Sequence, residues 1–150
     1  MHLPHITPFS RCPIYYFTAA TCERQRVLAN QATYDCLTGL WKKSLEIDGW
    51  CVGRFVIMPD HLHVFSCPRE DAHSRALWLK MWKSVSARQL SDEIGVPLPL
   101  WQADTFDHIL RSAKSYSAKW DYVKNNPVRH GLVKNSDDWP WQGEINVFGF

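Results

Sequence analysis

Two largely apolar runs, Trp50 to Ile57 and His61 to Cys67, are separated only by Met58-Pro59-Asp60. Runs this short on either side of a Pro-Asp turn read as a β-hairpin. Its second strand carries two chemistries at once. Successive side chains on a strand point to opposite faces, so His61 and His63 share one face, about 7 Å apart at Cα, while Leu62 points the other way into a core. A strand of this kind needs a helical layer behind Leu62 and an open face in front of the histidines.

The rest of the chain supplies such a layer. Ile14 to Ala19 is aromatic and β-branched and reads as an earlier strand. Val27 to Ile47 has helical spacing and is closed by Asp48-Gly49. A second helix is expected from about His73 to Glu93, with Leu77, Trp78, Met81, Trp82 and Val85 as its apolar stripe and Lys80, Lys83 and Arg88 on its polar face. Leu100 to Leu110 can supply a further strand. Ala113 to Asn126 reads as a third helix, ended by Pro127. The tail from Val128 to Phe150 has little periodicity and is expected to pack over the domain. The order strand, helix, strand, strand, helix, strand, helix predicts a ferredoxin-like α+β fold, an antiparallel sheet with helices packed on one face, in a single domain spanning residues 1–150.

Composition excludes several classes. At 150 residues and 45% hydrophobic the chain can bury its own core, and 21% charged residues argue against disorder. The five cysteines include no C-x-x-C pair and read as reduced thiols. Residues 1–11 lack a basic segment followed by an apolar run, and no stretch is apolar enough to span a bilayer, so a cytoplasmic protein without a membrane partner is expected. A net charge of +2 says little. Its distribution says more, because between Lys80 and Lys134 nine Lys and Arg face five acids.

Two imidazoles on one strand face can meet one cation, or can be ordinary interstrand histidines. Histidine-triad hydrolases need a third histidine where Phe65 stands. Two-histidine phosphoesterases need a second His-x-Thr or His-x-Ser, and H-E-x-x-H is also absent. Tyr122 and Asn126 are four residues apart and would share a helical face, about 6 Å apart along the axis. They offer a phenol nucleophile beside a hard oxygen ligand, or a core tyrosine and a capping asparagine.

Met58-Pro-Asp-His-Leu-His-Val64 together with Asp121-Tyr-Val-Lys-Asn-Asn-Pro-Val-Arg-His-Gly-Leu-Val133 resembles the two signature blocks of the REP-associated tyrosine transposases. These are single-tyrosine HUH transposases, named for a histidine, hydrophobe, histidine motif. Trp101-Gln, Phe106-Asp-His-Ile-Leu-Arg111 and Asp138-Trp-Pro-Trp141 extend the likeness over most of the chain. The resemblance implies an HUH nuclease fold, His61, His63 and Asn126 as ligands of a divalent metal, Mg²⁺ or Mn²⁺, and Tyr122 as the catalytic nucleophile. It also implies nicking and rejoining of single-stranded or hairpin DNA through a 5′-phosphotyrosine, and a monomer rather than a homodimer. A domesticated hairpin-binding protein without transposition activity is the alternative, and a small-molecule phosphoesterase a second.

Further residues follow from that chemistry. Lys119, three residues before Tyr122, is a candidate for favouring the phenolate, and His108 for carrying a proton. Tyr116 is the reserve nucleophile. Lys80, Lys83 and Arg88, with Arg11 near the N-terminus, are candidate DNA contacts, and exposed aromatic side chains could stack unpaired bases.

Overall fold

The computed structural model describes residues 5–6 and 13–149, so the expected contact at Arg11 lies outside the described residues. In chain order the elements are β1 (His5–Ile6), β2 (Ile14–Ala20), α1 (Gln31–Asp48), β3 (Trp50–Ile57), β4 (His61–Pro68), α2 (Arg75–Ile94), β5 (Phe106–Leu110), α3 (Ala113–Lys124), α4 (Asn126–Arg129), β6 (Gln142–Glu144) and β7 (Val147–Phe148). The main sheet has the order β5-β2-β4-β3-β6 with every neighbour antiparallel. The first four strands form the expected ferredoxin-like core. β6 extends it by one strand, and β7 pairs in parallel with β1. The tail thus contributes strands that its weak periodicity concealed.

The expected hairpin is β3 and β4, closed by the Met58 N–H donating to the His61 carbonyl at 2.7 Å. Its alternation divides the core. Phe17, Val52, Phe55, Leu62 and Val64 pack with Leu37 and Trp41 of α1 and with Trp78 and Trp82 of α2. Tyr16, Val56 and Phe65 lie on the other side with Tyr116 and Val123 of α3. The two long helices therefore cover one face, while α3 approaches the face that carries the histidines. A register shift between Val52 and Phe55 puts both residues toward the long helices, a β-bulge at Gly53 and Arg54.

Local chemistry moves several boundaries. α1 starts at Gln31 rather than near Val27, because the Asn30 side chain accepts the Thr33 N–H at 2.9 Å and caps the helix there. It ends at Gly49, whose φ of 79° suits glycine and whose missing Cβ avoids an Ala72 backbone atom that would lie 2.7 Å away. α2 buries Trp78, Leu79, Trp82, Ser86 and Leu90, so its inner face is rotated from the expected one and Leu77 is exposed. The rotation lets Trp78 stack on Trp50 at 4.9 Å and Trp82 meet Trp41 edge-on at 5.6 Å.

That rotation also overturns the reading of Lys83 as a DNA contact. The side chain is buried, and its ammonium donates to the carbonyls of Gln102 and Ala103 at 2.7 and 3.3 Å and to the Thr105 hydroxyl at 2.9 Å. These bonds draw residues 102–105 toward α2, which leaves only Phe106–Leu110 of the expected strand to pair with β2. Lys83→Met should lower stability by about 2–4 kcal/mol, because three acceptors lose a charged donor at a buried site. A urea midpoint shifted no more than that of exposed Lys80→Met would refute the assignment.

Candidate active site

His61 and His63 stand on β4 with 7% and 9% of their surface exposed, and their rings lie 4.9 Å apart at 83°. β2 is hydrogen-bonded beside β4, and Tyr16 and Thr18 alternate onto the same face. Both reach the Nδ1 of His63, the Tyr16 hydroxyl at 2.8 Å and the Thr18 hydroxyl at 3.0 Å. The Nδ1 of His61 meets the Asp60 carboxylate at 2.7 Å, and Asp60 in turn accepts from Arg24 at 3.0 Å. Arg24 Nη2 also lies 3.4 Å from that ring nitrogen, but the much closer carboxylate takes the imidazole proton.

Asn126 closes the site. Its Nδ2 lies 3.3 Å from the Nε2 of His61 and 3.0 Å from the Nε2 of His63, and its Oδ1 accepts from Arg129 Nη2 at 3.1 Å. This network assigns the protons. A guanidinium can only donate, so the amide atom facing Arg129 is oxygen and the one facing the rings is nitrogen. Both Nε2 atoms are then acceptors and both Nδ1 atoms carry hydrogen, donated by His61 to Asp60 and by His63 to the Tyr16 and Thr18 oxygens. Imidazoles tethered at Nδ1 with Nε2 lone pairs converging on one point are prepared as metal ligands.

Electrostatics keeps the pair neutral. Burial is the main cause that pulls His63 down to about 3, helped by the second imidazole beside it, whose charging would repel its own, and by the positive charges of Arg129 and Lys119. Burial also lowers His61, against the opposing pull of Asp60. Partial burial works against the Asp60 carboxylate, yet its bonds from Arg24 and His61 outweigh that and hold it below its ordinary value. Neutral imidazoles have lone pairs to offer, so the residues fit a divalent cation, with the Asn126 amide oxygen available once the carboxamide turns over. Among the described residues there is no cluster of three or more His, Cys, Asp or Glu suited to a metal, so this mixed set depends on the amide.

Tyr122 stands on the rim, 62% exposed, with the Arg129 guanidinium 3.8 Å above its ring and the Lys119 ammonium 5.9 Å from it. Lys119 also lies 5.2 Å from the Tyr16 ring, so it bridges the tyrosine to the group that holds His63. The expectation that Tyr122 and Asn126 share one helix needs correction. α3 stops at Lys124, and Asn126 opens α4, where Pro127 fits the first turn because its missing N–H needs no partner there. The break lets Asn126 turn inward, 8% exposed, while Tyr122 stays out.

The other expected residues are scattered. Tyr116 is 3% exposed, and burial raises its phenol, so it cannot serve as the reserve nucleophile without unfolding its surroundings. His108 is on the histidine-bearing face, but on edge strand β5 and opposite Tyr16, with β2 between it and β4. Lys80 and Arg88 are exposed on α2, behind the sheet. Most tryptophans are buried, and among the described residues the exposed Phe, Tyr and Trp side chains are Phe106 and Tyr122. Sequence reasoning missed Tyr16, Thr18, Asp60, Arg24 and Arg129. Only Asp60, adjacent to His61, carried a local signal.

A histidine, hydrophobe, histidine strand within an antiparallel sheet, with a tyrosine-bearing helix on the histidine face, matches the expected HUH fold. Known proteins make the class more specific. A REP-associated tyrosine transposase from Escherichia coli is 31% identical over 100 residues, 66% of this chain and 54% of the relative, so the match spans about half of that protein. A Haemophilus influenzae protein assigned provisionally to the same group is 25% identical over 89% of this chain and 80% of its own length. Among solved structures, a REP-associated tyrosine transposase bound to a REP hairpin superposes with a TM-score of 0.70 at 23% identity, over 95% of this chain and 82% of that one. A transposase candidate from Deinococcus radiodurans gives 0.58 at 20% identity, over 83% and 97%. No protein-family model matches the chain. The chain is thus similar in sequence to REP-associated tyrosine transposases and shares the fold of one that has been solved.

Proposed function

We propose that this chain is a metal-dependent single-strand DNA endonuclease and strand transferase that acts on hairpin DNA through a 5′-phosphotyrosine. The observation that carries the reading is the convergence of both Nε2 atoms on Asn126, with the exposed Tyr122 tied to the same asparagine through Arg129. Likeness to a transposase solved on a REP hairpin supports hairpin DNA as the partner.

His61, His63 and Asn126 would hold Mg²⁺ or Mn²⁺, and the two imidazoles favour Mn²⁺. Such an ion, when bound, supplies Lewis-acid polarisation of the scissile phosphate. Tyr122 attacks phosphorus, forming a bond from its phenolic oxygen as the P–O3′ bond breaks. The phenol loses its proton and the departing 3′ oxygen gains one. Lys119 and Arg129 place positive charge where the phenolate and the crowded phosphate develop negative charge. The phosphotyrosine keeps the energy of the broken ester, so a second 3′-hydroxyl can reverse the step on another strand.

Arg24, Lys119 and Arg129 lie on the histidine-bearing side, whereas Lys80 and Arg88 can meet only DNA that passes behind the sheet. We read the protein as a monomer acting in cis, because its Tyr122 stands at the rim of its own histidine site. Among the described residues no helix is long and apolar enough to cross a membrane.

The test is a hairpin oligonucleotide with a labelled single-strand extension, incubated with the protein and Mn²⁺. A covalent adduct that survives denaturing electrophoresis is expected. Tight hairpin binding without any adduct would point instead to a domesticated binding protein, and hydrolysis of a small phosphodiester by Tyr122→Phe to a phosphoesterase.

A further inference from the structure

Arg129 is in contact with both halves of the site. Its Nη2 donates to Asn126 Oδ1 at 3.1 Å, and its guanidinium carbon lies 3.8 Å from the centre of the Tyr122 ring. The first contact is incompatible with the amide orientation that a cation needs. With Oδ1 turned toward His61 and His63, Nδ2 would face the guanidinium, and two donors would oppose one another. One side must yield. The guanidinium is on the exposed side of the site, and it can move while the buried amide turns.

We propose that Arg129 is a positioning residue that competes with a cation for the Asn126 amide oxygen: it holds Oδ1 away from the histidines and yields it when a cation binds, leaving its charge free beside Tyr122. The inference rests on reading His61, His63 and Asn126 as a metal site. It adds an order of events to that reading. Loading the site frees an arginine fork of the kind that grips phosphate oxygens in pairs, beside a tyrosine that is already exposed. DNA then meets a free guanidinium beside the nucleophile only in the loaded protein.

Calorimetric titration with Mn²⁺ alone tests the competition. Removing the competing bond should tighten Mn²⁺ binding by about threefold to tenfold in Arg129→Met while weakening adduct formation. Any variant that removes a nearby positive charge also tightens cation binding, so Lys119→Met is the control. Tightening by Lys119→Met equal to that of Arg129→Met, or weaker binding in Arg129→Met, overturns the proposal.

A second readout uses the unaltered protein. The side-chain ¹⁵N–¹H signals of Arg129 and Asn126 should both move on adding Mg²⁺, and a saturating addition that leaves Arg129 unmoved also overturns it. If Mn²⁺ binds with no dependence on His63, as judged by His63→Ala, the metal reading itself has failed. That outcome is separable from a metal site that Arg129 does not control.

Discussion

Tyr122→Phe should eliminate the covalent protein–DNA adduct, with loss of cleavage by roughly three orders of magnitude or more, the scale seen when a sole nucleophile is removed. The substitution deletes one oxygen from a ring that is 62% exposed, so folding should be unaffected. The ring still lies beneath Arg129, so hairpin affinity should stay within about threefold of the parent. This split between binding and chemistry is the signature to measure, by gel shift and by denaturing gel on the same oligonucleotide. An adduct of undiminished yield would remove Tyr122 from the mechanism. Tyr116 could not simply replace it, being 3% exposed beneath Arg54.

The second large effect is expected at His63. His63→Ala removes one of two imidazole donors and strands the Tyr16 and Thr18 hydroxyls that hold it. Mn²⁺ affinity should fall by about a hundredfold, a large share of what a small mixed ligand set can provide. Thermal melts give an independent reading. Metal at about a hundred times its dissociation constant stabilises the parent by about 2.7 kcal/mol through linkage, and the variant should show little of that rise. Chelation of the parent should mimic the variant in the cleavage assay. Equal metal-induced stabilisation of parent and His63→Gln would mean that the ion binds elsewhere.

How far the sequence discloses such a site depends on whether each signal is local. The β3–β4 hairpin and the shared face of His61 and His63 follow from alternation over a few residues, and they are observed as read. The groups that tether His63 come from β2, 47 residues away in the case of Tyr16. Tyr16 and Thr18 look like ordinary strand residues until β2 is placed beside β4. Lys83 shows the opposite error. Spacing put it on a polar helical face, yet the rotation of α2 was decided by Trp41 on α1, Trp50 on β3 and Trp101 in the segment before β5, and the lysine went inward with it. Pro127 was read as a helix stop, which is correct for α3. That it also begins α4, and so turns Asn126 toward the histidines, depends on tertiary packing that no local rule encodes.

The three-residue connection before β4 sets a phase as well as a turn. Lengthening or shortening it by one residue would advance the whole strand by half its repeat, sinking two imidazoles among Phe17, Trp41 and Trp78 while Leu62 came to face Asn126. Drift in this connection therefore offers no gradual route to a stable but inert descendant: a slip that erased the ligands would empty the core in the same move. Point substitution at Tyr122, which is 62% exposed and touches the interior hardly at all, offers such a lineage a way to lose the proposed activity and keep the fold.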